Sequence, residues 1–197
     1  MRLMEKLLLH CCCAPCAIHT IDLLKTQYEL TLYFYNPNIF PKQEHDHRLS
    51  ELLGYSLLEK IPLIIDDYRP LDFYSITRGL ENVPEGGARC RACFDGRLQK
   101  TSFKAKALGF PFFTTTLTIS PYKNSSVIFE AGFAAAEKTG LTFLAQDFKK
   151  KEGYKLAMQK SKDAGFYLQN YCGCEYSLKA RLAYEEEKLL KTYQAFR

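Results

Sequence analysis

The 197-residue chain has no apolar run near the ~20 residues that a membrane-crossing helix requires. Its first ten residues, Met1 to His10, hold too short an apolar segment for a secretory signal and no small-residue cleavage site, so no signal peptide is expected. No GxGxxG, Walker loop or Ser-Gly-Gly pyrophosphatase loop follows any predicted strand, which argues against ATP or a dinucleotide in the site. Repeats, low-complexity tracts and a clear interdomain linker are absent too. Charge of neither sign dominates. The 27 Lys plus Arg against 22 Asp plus Glu leave +5, which is compatible with a polyanionic partner without demanding one.

Cysteine is abundant, and it is clustered. The eight cysteines fall at Cys11, Cys12, Cys13 and Cys16, then Cys90 and Cys93, then Cys172 and Cys174. A secreted disulfide scaffold spreads its cysteines through a short chain, whereas long cysteine-free spans of ordinary core composition separate these groups. A reducing, cytoplasmic compartment is the expected address, where clustered thiols serve metal binding or redox chemistry.

Short β-rich runs at Leu7–His10, Leu30–Tyr35, Pro62–Ile65, Phe110–Thr116 and Thr142–Ala145 read as buried strands. Helical patterns at Ala17–Thr26, Asp46–Glu59, Arg97–Leu108 and Ser125–Thr139 alternate with them, and Gly109 and Gly140 stand as helix stops. This alternation predicts an α/β protein with a Rossmann-like, mainly parallel sheet of about five strands, flanking helices and a C-terminal helical extension. The region from Asp66 to Phe94 is less regular and predicts a connection carrying Cys90. A charged helix is expected over Leu178–Phe196. The simplest division is one domain over residues 1–197, with roughly 146–197 as an extension carrying Cys-Gly-Cys.

Ligands of open parallel sheets sit beyond the carboxyl ends of the strands. Cys11 to Cys13 follow strand one there, and Pro15 stands in the first turn of the next helix, whose partial positive charge favours thiolates. Cys90-Arg-Ala-Cys93 is a two-thiol clamp that suits zinc, an iron–sulfur cluster or a redox disulfide. Cys172-Gly-Cys174 is a candidate redox pair. Cys11 alone reads most simply as a small buried apolar residue. His45-Asp46-His47 reads as a solvated helix face. Lys149 to Lys151 follow the last strand on the cysteine edge, either as phosphate contacts or as an exposed charged turn. Tyr122, Tyr171 and Tyr176 suit base stacking or plain packing.

Six motifs occur in order along the chain. They are Leu9-His-Cys-Cys-Cys-Ala-Pro-Cys16, Tyr35-Asn-Pro-Asn-Ile39, Pro84-Glu-Gly-Gly-Ala-Arg-Cys-Arg-Ala-Cys-Phe94, Thr115-Thr-Leu-Thr-Ile-Ser-Pro-Tyr122, Asp147-Phe-Lys-Lys-Lys151 and Tyr171-Cys-Gly-Cys174. Together they resemble the QueH-type epoxyqueuosine reductases. The resemblance implies cobalamin-independent, iron–sulfur-dependent deoxygenation of an epoxide on the modified wobble base of tRNA, the last step of queuosine synthesis. It implies a [4Fe-4S] cluster on Cys12, Cys13, Cys90 and Cys93, a redox-active Cys172/Cys174 pair, and Cys16 as ligand to a second, mononuclear iron. Cys11 stands where the family pattern does not demand cysteine.

Adjacent residues of a regular strand point to opposite faces, so Cys12 and Cys13 reach one cluster only if the chain turns there. Removing an epoxide oxygen as water takes two electrons and two protons, so a single one-electron cubane needs a second redox group. Tyr171 or a bound water is the expected proton donor. Arg89, Arg91, Lys149, Lys150 and Lys151 are the expected phosphate contacts for tRNA, and an electron donor is implied. Two rivals compete with this reading. One is a sulfur-transfer protein carrying persulfide on Cys172 or Cys174, and the other is a zinc-stabilised RNA-binding module without redox chemistry.

Overall fold

Three leucines in succession, Leu7, Leu8 and Leu9, have no polar alternate, which is the pattern of a strand covered on both faces. In the computed structural model, which describes residues 4–195, they form the middle of β1 (Glu5–His10). Leu7 and Leu9 face one apolar core with Ile18, Ile21 and Leu24 of α1 (Ala14–Leu24). Leu8 faces the other core, with Tyr33, Leu98 and Phe113. All three leucines are fully buried, and burying each side chain is worth about 1.5–3 kcal/mol.

The sheet contains β2 (Tyr28–Phe34), β3 (Leu63–Ile65), β4 (Phe112–Thr115) and β5 (Thr142–Phe143) besides β1, in the order β3-β2-β1-β4-β5. Every pairing is parallel. Strand order reverses between β1 and β4, so the crevice beyond their carboxyl ends is the switch point at which such sheets take ligands. The five expected strands are present, β5 being the shortest.

The helices are α2 (Lys42–Glu59), α3 (Pro70–Ile76), α4 (Ala88–Ala107), α5 (Ser125–Thr139), α6 (Gly153–Asp163) and α7 (Glu175–Ala195), with a 3-10 turn at Thr116–Ile119. α5 has the predicted bounds. Its N-cap Asn124 side chain accepts from Ser126 N–H, and Gly140 closes it at φ 71°, a left-handed position that glycine occupies without a Cβ clash. α4 departs from expectation, starting at Ala88 instead of Arg97, so Cys90 lies in its first turn and not in a connection. Phe148 and Ala157 join the core that holds α1, which anchors α6 to the sheet layer. α7 is the helical extension. Of the charged helix expected to reach Phe196, that last residue lies outside the described range, as do Met1 to Leu3. Among the described residues no helix is long and apolar enough to cross a membrane.

Candidate metal and thiol site

The carboxyl end of β1 is pinned from both sides by a residue that burial keeps neutral. His10 is fully buried, with Nε2 3.2 Å from the Tyr35 carbonyl and Nδ1 2.8 Å from Thr115 Oγ1. A carbonyl only accepts, so Nε2 carries the proton and Nδ1 accepts from the Thr115 hydroxyl. Burial, helped by the nearby Arg97 charge, lowers the imidazole pKa to about 3. Through His10 the ends of β1, β2 and β4 share one geometry.

Past His10 the backbone bends at Cys12, and Cys13 becomes the N-cap of α1 with Pro15 in the first turn. This is the turn that the adjacent cysteines require. Cys12 Sγ lies 3.6 Å from Cys13 Sγ, and Cys16, almost one helical turn further, brings its sulfur within 4.8 Å of both. Cys11 points the other way, into the core beside Leu7 and Leu9. Its thiol, pushed up by burial, donates to the Leu9 carbonyl at 3.4 Å.

Hydrogen bonds from Cys13 and Cys16 hold the Cys12 thiol pKa well below its ordinary value in spite of burial, with help from Arg97 and Lys123. The same bonds push Cys13 and Cys16 up. Within the trio the hydrogen bonds therefore favour the thiolate at Cys12 over Cys13 and Cys16.

A second group of thiols comes from two distant segments. Three residues apart on α4, Cys90 and Cys93 share a helix face, which Arg97 extends by one turn. Gly86 N–H donates to Cys90 Sγ at 3.2 Å, and burial raises both thiols. Cys172 and Cys174 lead into α7 with sulfurs 3.4 Å apart. Cys93, Cys174 and Phe73 pack together, with Cys172 against them. All four sulfur-bearing residues line one cavity of about 120 Å3, along with Asn38, Arg97, Tyr122 and Lys123.

Among the described residues, the Cys12/Cys13/Cys16 trio is the only group of three or more His, Cys, Asp or Glu side chains with ligand atoms mutually within 4.8 Å. Cys90 and Cys93 do not join Cys12 and Cys13 at that spacing. Two cations link the groups instead. Burial opposes the Lys123 ammonium, but Cys172, Cys12 and Cys16 together raise its pKa, and Arg97 acts on both Cys12 and Cys93.

The Cys172-Gly-Cys174 loop is held by contacts that sequence reading missed. Arg48, 2% exposed, pairs with Glu44 at 2.7 Å and donates to the carbonyls of Cys172 and Tyr171. Gly173 sits at φ 113°, and its carbonyl accepts from Phe40 N–H at 2.7 Å. The run His45-Asp46-His47 reads as a solvated face because successive side chains of a helix point in different directions. His45 is nevertheless buried between Phe34 and Tyr68, and Arg48 lies beneath the loop. The missed signal is the stripe His45, Arg48, Leu52, Tyr55, whose spacing of three and four continues into apolar residues.

Within the pair, the hydrogen-bonded contact between the two sulfurs lowers the Cys172 pKa to about 6 against burial, with Lys123 assisting, while Cys174 is pushed far up. Cys172 is thus the half-exposed thiolate and Cys174 the buried thiol.

Other expected site residues are placed differently. The Tyr171 hydroxyl donates to the Phe40 carbonyl at 2.6 Å and its ring lies under Arg48, so it braces the loop and does not line the cavity. Arg89 is buried. It donates to the carbonyls of Leu80, Glu81 and Val83 and stacks 4.5 Å over Tyr176, which ties down the 80–83 turn and keeps it from phosphates. Arg91 is paired with Asp95 and Glu130. Lys149 is held by the Lys123 carbonyl, Ser125 and Asp147. Lys150 and Lys151 are exposed.

An open parallel sheet that gathers three thiols at its switch point and four around an adjoining cavity defines a cysteine-rich α/β protein with a thiol metal site. The family profile described as "Epoxyqueuosine reductase QueH" matches residues 7–180. An epoxyqueuosine reductase QueH of Streptococcus pyogenes serotype M1 is 41% identical over 180 residues, covering 88% of this chain and 70% of the relative. The one from Haemophilus influenzae is 40% identical over 185 residues, covering 93% and 76%. The one from Thermotoga maritima is 33% identical over 184 residues, covering 90% and 93%. The chain belongs to the QueH epoxyqueuosine reductase family.

Proposed function

We propose that the chain is a cytoplasmic oxidoreductase, an epoxyqueuosine reductase that removes the epoxide oxygen of epoxyqueuosine at the wobble position of tRNA and leaves queuosine. The observation that carries this reading is the convergence of seven cysteines on one sheet edge, in two groups bridged by the buried Arg97 and the half-buried Lys123. The chain is read as one domain over residues 1–197, with the stretch from about 146 as its extension.

The donor set suits an iron–sulfur group, since thiolates are the ligands of soft iron centres. The 3.6 Å between the Cys12 and Cys13 sulfurs is close to the ~3.8 Å expected between thiolates of one tetrahedral ion. In this reading Cys12, Cys13, Cys90 and Cys93 hold a [4Fe-4S] cluster and Cys16 serves a second, mononuclear iron. Such a group, when bound, supplies one-electron transfer and Lewis acidity.

The protein's own residues supply the rest. Epoxide removal breaks two C–O bonds and consumes two electrons and two protons to release water. Oxidation of the Cys172 thiolate and the Cys174 thiol to a disulfide yields two electrons and one proton, the second proton comes from the Lys123 ammonium, which water then reprotonates, and a cellular electron donor restores the reduced pair. The 3.4 Å between the sulfurs must close to about 2.05 Å, a movement within reach of a loop turning on Gly173. Arg97 and Lys123 set positive charge beside the cavity, where a departing oxygen gains negative charge. Lys123, which lines the cavity as Tyr171 does not, is the group placed to deliver a proton. The wobble base must leave its stack to arrive there. Tyr122, 83% exposed at the rim, offers it a stacking face, and Lys150 and Lys151 meet the backbone.

Anaerobic reconstitution with iron and sulfide, then incubation with epoxyqueuosine-bearing tRNA and a reductant, tests the reaction by nucleoside mass analysis. Loss of one oxygen is expected. An unchanged nucleoside with fully loaded protein overturns the reading, and a colourless protein with stoichiometric zinc favours the RNA-binding rival.

A further inference from the structure

Lys149, an expected phosphate contact, is turned inward, with its side chain 25% exposed. An ammonium has three donors. Nζ donates to the Lys123 carbonyl at 3.0 Å and to the Ser125 hydroxyl, and it faces the Asp147 carboxylate at 3.5 Å. Two of the three donors are thus engaged inside the protein, and the third meets a carboxylate that repels an incoming phosphate.

What Lys149 grips is the turn that leads into α5. That turn carries Lys123, which lines the thiol cavity and feels the charges of Cys172, Cys12 and Cys16. The turn's own hydrogen bonds are long and stay within it, from Lys123 N–H to the Ser120 carbonyl and from Tyr122 N–H to the Ser120 hydroxyl, both 3.3 Å. The segment from which Lys149 reaches is fastened to the core. Phe148 is 1% exposed in the cluster that holds α1, and the Thr118 hydroxyl donates to the Gln146 carbonyl at 2.8 Å. A Cβ at Gly153 would lie 1.9 Å from the Phe148 carbonyl oxygen, so the chain closes tightly on itself just past the lysines.

We propose that Lys149 is a positioning residue for Lys123, tying the 123–125 turn to the core and so keeping the Lys123 ammonium among the cavity's thiols. The inference rests on the proton role given to Lys123 in the function proposed above, and it assigns Lys149 to the chemical step instead of to tRNA affinity. A group misplaced by about 1 Å can cost ~100-fold in rate, so a bond to the backbone of Lys123 reaches the chemistry without touching the substrate.

The test compares Lys149→Met with wild type, both iron-loaded and matched in visible absorption. The variant is expected to lower kcat for deoxygenation at least about tenfold, with the KM for tRNA and the slope of log affinity against log salt unchanged. A smaller loss overturns the proposal, as does a raised KM with a slope shallower by about 0.7–0.9, the mark of one lost phosphate contact. Reductive methylation with mass resolution of the Lys123 peptide reads the positioning without turnover. Lys123 is expected to react faster in Lys149→Met than in wild type, and an equal rate overturns the proposal. If Lys149→Met does not fold, Lys149→Gln, whose uncharged side chain ends one bond short, is read in its place with the same expectation. Wild type that never deoxygenates tRNA, with Lys123 labelling that responds to Lys149, overturns the proposed reaction and not the positioning. Turnover with Lys123 labelling indifferent to Lys149 does the reverse.

Discussion

Replacing Cys174 by alanine removes the neighbouring sulfur whose hydrogen bond does most to lower the Cys172 pKa to about 6. Without that bond, burial opposes the thiolate and only Lys123 and weaker contacts favour it, so the pKa returns toward the ordinary 9.0. A change of that size is worth about 4 kcal/mol. At pH 7 the thiolate population drops from about nine-tenths to about one-hundredth, roughly 90-fold. A more basic thiolate is also a better nucleophile, by about 15- to 30-fold for a Brønsted slope of 0.4–0.5. The two effects nearly cancel, and alkylation of Cys172 at pH 7 slows by only about 3- to 6-fold. The informative measurement is the pH profile, followed by iodoacetamide labelling of reduced protein with mass resolution of the Cys172 peptide. Wild type should titrate near pH 6 and Cys174→Ala near 9. A stability consequence runs in the same direction. A thiol with a lowered folded pKa contributes stability above its unfolded pKa and loses it as pH falls through the folded one, so the contribution declines from pH 9 to 6 and the variant lacks that slope. An alanine variant that still titrates near pH 6 refutes the idea that the neighbouring thiol sets the charge on Cys172.

Gly173→Ala should destabilise the protein by about 1–3 kcal/mol, read as a lower urea midpoint. Its residue sits at φ 113°, and a Cβ would lie 3.0 Å from Arg48 Nη1 and 3.2 Å from Ile39 Cγ1. His10 is held neutral down to about pH 3 while an unfolded histidine protonates near 6.5. The unfolded state therefore binds the extra proton, and native stability falls as pH drops from 6.5 to 3, by up to about 5 kcal/mol. His10→Leu, less stable at neutral pH, should show a flatter acid limb in denaturant midpoints taken across that window. Lys150→Ala with Lys151→Ala should weaken tRNA binding and make the slope of log affinity against log salt shallower by about 1.4–1.8. An unchanged slope would place the phosphates elsewhere.

The parallel sheet was legible because both of its faces are covered. Strands such as Leu7–His10 read as unbroken apolar runs, and glycines at 109 and 140 end the helices that separate them. The start of α4 was not legible. Its first turns carry Arg89, Cys90, Arg91 and Cys93, which lack the apolar stripe that marks a helix, because that face covers thiols and carbonyls instead of a core. The same cause hid Arg48. Its charge suggests solvent, yet it serves backbone carbonyls of a loop more than 120 residues away, a partner that no local spacing announces. The cysteine clusters were visible as spacings, and the bend at Cys12 followed from the need to aim neighbouring sulfurs together. How the clusters assort depends on tertiary contacts alone. Cys16 joins Cys12 and Cys13 through the pitch of α1, while Cys93 meets Cys174 only because α7 begins beside α3 and α4. Sequence shows which residues have chemistry to offer, but the unpartnered oxygen of Asn38 becomes visible only once its burial is known. A polar residue in an Asn-Pro-Asn turn looks like turn chemistry until burial shows that the turn leaves one of its acceptors without a partner.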